Sequence, residues 1–130
     1  MHLHNVSVAV GTLFIGALMA GPASAQDAMA VAGNHYKVLV DNDQVRVVEC
    51  TLAPGDKDPV HTHPANWYYI TKPGTLKAVY ADGKVVTEEG KVGDSGWQEA
   101  EGPHTAENVG TTTLQFILVE VKSAAGNLKK

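Results

Sequence analysis

Turn-forming residues recur along this chain at intervals too short for helices. From residue 35 onward, apolar and β-branched segments are cut every few positions by Gly, Pro, Asp or Asn. The strand-sized pieces are His35–Val40, Val45–Leu52, Trp67–Thr71, Thr75–Tyr80, Val85–Glu88, Asp94–Gln98, His104–Val109 and Thr113–Val121. No window there sustains a 3.6-residue apolar period with caps. Short strands spaced in this way predict an all-β fold, an antiparallel sandwich or barrel of about eight strands. Asp82-Gly83 between two alternating runs predicts a hairpin with a type I′ turn.

With 130 residues, the chain has room for one domain. Ten Lys+Arg against 14 Asp+Glu give a net charge of −4, and no basic cluster stands out, which argues against a nucleic-acid partner. The one cysteine, Cys50, excludes an internal disulfide framework, and its place at the end of Val45–Cys50 predicts burial in a strand. The first 25 residues differ from the rest. Val6–Ala20 is apolar throughout, and Ala23-Ser24-Ala25 is a small-residue cleavage pattern, so residues 1–25 are expected to be a signal peptide cut before Gln26. This leader has no Lys or Arg, a departure from the usual pattern, and the chain has no Arg-Arg pair of the twin-arginine type. A periplasmic or secreted protein follows, with no stable membrane span after cleavage. Residues 26–36 are expected as a linker, 37–122 as the barrel and 123–130 as a flexible tail.

The chemistry gathers at His61-Thr62-His63 and at His104. On an extended segment, residues i and i+2 face the same way, roughly 6.5–7 Å apart, so two imidazoles can converge on one ion. Pro59 and Pro64 flank the pair and stiffen it. A third ligand must come from a neighbouring strand, and His104 stands in a comparable strand-edge setting.

The spacing around these histidines is patterned in both halves of the domain. The first half reads Gly55-x5-His61-x-His63-x3-Trp67-x6-Gly74, and the second Gly93-x5-Glu99-x-Glu101-x2-His104-x3-Asn108. The pair resembles the two motifs of the cupin superfamily, over about Val45 to Val121. That resemblance implies a small antiparallel jelly-roll β-barrel. It also implies a divalent transition metal (Fe, Zn, Cu, Ni or Mn) held inside by His61, His63 and His104. Two departures stand out. The glutamate of the first motif is Trp67 here, or Tyr68 under the longer spacing, and the proline and glycine of the second motif are Glu99 and Glu101.

Three neutral imidazoles leave a bound dication's charge uncompensated and its coordination open, which favours a small anionic organic ligand. Glu99, Glu101 and Tyr68 are the candidate catalytic groups, standing in for the absent motif carboxylate. Trp67, Tyr69, Trp97 and Arg46 are the candidate pocket residues. Similar three-histidine cupins include iron-dependent thiol and diketone dioxygenases, so an oxidoreductase, isomerase or lyase is one expectation. A non-catalytic metal- or ligand-binding protein is the other. Trp67–Ile70 or the first strand supplies a face that a homodimer can bury.

Overall fold

The computed structural model describes residues 26–122. The expected signal peptide (1–25) and tail (123–130) lie outside the described residues. Ten strands and one helical turn follow in chain order: β1 (Gln26–Asp27), α1 (Ala28–Val31), β2 (Tyr36–Asp41), β3 (Val45–Leu52) and β4 (Lys57–His63). They continue as β5 (Asn66–Lys72), β6 (Gly74–Tyr80), β7 (Val85–Gly90), β8 (Ser95–Gln98), β9 (Glu101–Asn108) and β10 (Leu114–Val121). Two five-stranded sheets face each other, ordered β1-β4-β9-β6-β7 and β2-β3-β10-β5-β8. All pairings are antiparallel except β1 with β4. The all-β barrel expected from the turn spacing, with the jelly roll that the cupin resemblance implies, is the observed fold.

Alternation decides which side chains enter the barrel. In β3 the residues Val48, Cys50 and Leu52 are buried, and in β10 Leu114, Phe116 and Leu118. These two strands run in register along their whole lengths and form the centre of the core with Ile70 and Tyr36. Cys50 is fully buried and unpaired, as its place in the strand predicts, and burial pushes its thiol pKa well up. A buried neutral thiol of this kind packs as a small apolar residue.

Two sequence expectations are corrected here. Residues 26–36 are not a linker. Gln26 and Asp27 pair with His61 and Thr62, while Ala28 and Ala32 are fully buried in the core. The Asp27 side chain caps the single helical turn by accepting from the Met29 N–H at 2.8 Å. Alanines let this turn lie flat against the sheet, and that burial orders the segment. The β6–β7 hairpin is also not type I′. Gly83 alone has a positive φ (88°), and Gly83 N–H bonds Tyr80 C=O while Tyr80 N–H bonds Lys84 C=O. This is a type I turn closed by a glycine bulge, so Asp82 stays in the ordinary helical region and accepts from Lys84 N–H instead.

Asn108, the last residue of the second motif, ties the end of β3 to the β9–β10 loop from a fully buried position. Its side chain donates to Leu52 C=O and Thr112 C=O, each at 2.8 Å, and accepts from Gly110 N–H. Gly74 marks a second tight point: a Cβ there would lie 2.7 Å from Leu114 Cβ in the opposite sheet. Gly74→Ala is therefore expected to overpack the core and cost about 1–3 kcal/mol. Thermal unfolding checks this, and an unchanged midpoint would show that the sheets are free to part at this point.

Candidate metal centre

The two strands that carry the histidines are bulged where the histidines sit. On β4, the ladder to β9 breaks register between Asp58 and His61, and Pro59 and Val60 both point outward. On β9, three steps from Glu101 to His104 oppose two from His63 to His61. Prolines at 59 and 103 cannot donate to a ladder, so each favours an irregularity at its position. Each bulge frees a carbonyl two residues before a histidine. His61 Nδ1 donates to Pro59 C=O at 2.7 Å, and His104 Nδ1 donates to Gly102 C=O at 2.8 Å.

His61 and His104 are direct cross-strand partners, and His63 follows on the same face of β4. All three are buried, with ring centroids 4.5–5.8 Å apart. One nitrogen from each lies within 4.8 Å of the other two. A shared ion sets its ligand nitrogens about 3–4 Å apart.

The third Nδ1 has a different partner. His63 Nδ1 donates to Glu120 Oε1 at 3.1 Å, and Glu120, on β10, is only 1% exposed. Its other oxygen accepts from Arg46 Nε at 2.6 Å, and Arg46 Nη2 reaches Asp27 Oδ2 at 2.7 Å. All three Nδ1 atoms are thus committed, and the Nε2 atoms are left to converge. His61 Nε2 is buried with no hydrogen-bond partner, a costly state unless something occupies the space before it. Burial lowers the His61 pKa, assisted by the neighbouring His63 and His104, and so favours the neutral, ligating form. The donor set and its geometry fit a transition metal.

The pocket before the Nε2 atoms is walled by Tyr36, Tyr80 and Glu101, with Ala78, Val86 and Leu118 among its apolar residues. Tyr36 Oη lies 3.4 Å from His63 Nε2. Burial holds its pKa well above the usual tyrosine value, with Cys50 and Asp58 reinforcing the shift, so the phenol stays a neutral donor. Tyr80 Oη donates to Glu101 Oε1 at 2.8 Å, and burial together with that carboxylate raises its pKa to about 12. Fully buried Asp58 is bonded to His35, which also pairs with Asp56 at 3.5 Å. His35, Tyr36, Asp58, Tyr80 and Glu120 escaped the sequence reading. Each is remote from the motifs or silent in its spacing, and only strand parity on β6 and β10 points Tyr80 and Glu120 inward.

The candidate neighbours divide. Glu101 lines the histidine pocket, whereas Glu99 lies outside it, accepting from Trp97 Nε1 at 2.8 Å on the surface. Tyr68 faces inward but borders an adjoining chamber. Trp67, Tyr69 and Trp97 are exposed on the outer face of the second sheet, Trp67 stacked on Tyr69 and paired with Trp97 across the strands. The reason is parity: buried Asn66 and Ile70 set the inward face of β5, and the odd positions point out. Arg46 does not enter the pocket either, because its guanidinium is engaged by Glu120 and Asp27. No carboxylate of the first motif stands beside the histidines, and among the described residues the potential ligand cluster is His61, His63 and His104 alone.

A bulged two-sheet barrel with three inward histidines defines a β-barrel able to hold one metal ion. Solved structures share this barrel. A cupin domain from Bordetella pertussis Tohama I is 26% identical, with a TM-score of 0.62 over 68% of this chain and 92% of that one. A double-stranded β-helix protein from Klebsiella pneumoniae is 23% identical, with a TM-score of 0.55 over 69% and 77% of the two chains. A polyketide cyclase from Streptomyces resistomycificus shares the fold at 23% identity and a TM-score of 0.52, over 66% and 63%. The chain belongs to the cupin superfamily. No protein-family model matches this sequence, and no curated protein matches it.

Because Glu120 orients His63 through its Nδ1, Glu120→Ala is expected to weaken metal binding 10- to 100-fold, and Glu120→Gln, which keeps an acceptor, to weaken it less. Calorimetric titration with Zn²⁺ checks this. Equal affinities in all three proteins would remove Glu120 from the site.

Proposed function

We propose that this protein is an exported cupin that binds a divalent transition metal through His61, His63 and His104 and acts on a small anionic organic molecule. One observation carries the reading. Every Nδ1 of the three rings is hydrogen-bonded within the protein, which leaves the three Nε2 atoms as ligands, and the three rings line one pocket. A metal held there acts as a Lewis acid or redox centre with open coordination positions. Tyr36 supplies a neutral donor that orients a bound anion, and apolar walls at Ala78, Val86 and Leu118 flank it. Glu101, held by Tyr80, is the group in the pocket suited to accept a proton.

A non-catalytic role for the same centre is supported by a specific feature. One oxygen of Glu101 is already engaged by Tyr80, and Glu88 is exposed at the lip, so the pocket has no carboxylate dedicated to proton transfer. Turnover of a metal-loaded sample separates the two roles. Export is supported by the leader sequence and by the place of Gln26. The expected cleavage falls immediately before the strand that pairs with His61.

The purified protein is expected to bind one equivalent of Zn²⁺ or Co²⁺, and His104→Ala to lose that binding by at least 100-fold while keeping its far-ultraviolet circular dichroism. Retained stoichiometric binding in the variant would contradict the proposal.

The outer face of the second sheet supports a homodimer. Val40, Val47, Val119, Trp67 and Trp97 align in one cross-strand row across all five strands. Trp67→Glu is expected to shift a dimer to monomer in sedimentation analysis. An unaltered dimer, or a wild-type monomer, would rule this face out.

A further inference from the structure

The histidine pocket is not closed on its far side. It shares Leu76, Glu88, Gln98, Phe116 and Leu118 with a second chamber between β5 and β8 on one side and β6 and β7 on the other. The two chambers measure about 130 and 120 Å³. They differ in chemistry. The first has the imidazoles, two phenols and Glu101. The second has no basic side chain and is walled by Tyr68, Ile70 and Leu114, with glycines 74 and 90 where side chains would fill it. A Cβ at Gly90 would lie 3.3 Å from Ile70 Cδ1, so even one methyl group there reduces the space. Where this chamber meets solvent, Glu89 and Asp94 form an acidic lip.

We propose that the second chamber is a binding site for the apolar tail of the ligand, so that the molecule taken is a monoanion with an aliphatic or aromatic body. The proposal rests on the metal-and-anion reading given above. The head group belongs at the histidines, because the metal proposed there would supply the positive charge and Tyr36 a hydrogen-bond donor. The tail belongs beyond the Glu88–Gln98 junction, because Ile70, Leu76, Leu114, Phe116 and Leu118 give that chamber apolar walls on which hydrocarbon can be buried. The acidic lip repels a second carboxylate at the far end, which separates monoanions from dianions of equal length.

The test uses the purified protein loaded with Co²⁺ and a series of straight-chain carboxylates from acetate to octanoate, with adipate as the dianion, read from the visible absorption of the cobalt. Affinity is expected to rise about three- to fourfold per added methylene until the chamber is full. Adipate is expected to bind at least tenfold more weakly than hexanoate. Gly90→Val is expected to abolish the dependence on length while leaving acetate binding unchanged. Gln98→Leu, which adds no bulk to the apolar walls, is expected to preserve it. Anion binding that is flat with chain length in the wild-type protein would overturn the chamber and leave the metal reading intact. Cobalt binding with no response to any carboxylate would overturn the anion reading itself, and the chamber with it.

Discussion

Three hydrogen bonds at the backs of three imidazoles organise this protein. An unrestrained histidine offers either nitrogen in any of several rotamers, and three such side chains would seldom meet. Here Pro59 C=O, Gly102 C=O and Glu120 each take one Nδ1–H, and the tautomer and ring direction of all three follow. The carbonyls are available because β4 and β9 are bulged, and the bulges sit at prolines. Irregularity in the ladder and regularity in the site have one cause.

The Glu120 contact differs from the other two in reach. It connects β4 in one sheet to β10 in the other, and through Arg46 to Asp27 in the N-terminal strand. A buried carboxylate would be unfavourable alone; between an arginine and an imidazole N–H its charge is matched. Asp27 also caps the helical turn whose alanines fill the core beside Tyr36. The segment 26–32 thus belongs to the same packed unit as the metal centre. The barrel and the site are therefore not separable layers of the structure.

Much of this was legible in the chain. The extent of β3, the alternation of His61 and His63 onto one face, and the placement of His104 opposite them follow from period-2 patterning and from the paired motifs. Asn108 was legible as the last position of the second motif. What stayed hidden depended on parity or on distant pairing. Trp67 and Tyr69 flank the histidines in sequence but face solvent, since a single-residue offset inverts a strand's faces. Glu120 looks like the polar end of an apolar strand. Only the β3–β10–β5 register brings it under His63 and beside Arg46. Residues 26–36 carry too little bulk to announce a core, yet their small size is what permits the close approach.

The central claim is that the three Nε2 atoms share one cation. Anomalous diffraction from a crystal soaked in Zn²⁺ measures this directly. The account predicts one peak, about 2.0–2.1 Å from Nε2 of His61, His63 and His104. A peak bound through Nδ1, a peak elsewhere, or rings that remain metal-free at saturating zinc would contradict it.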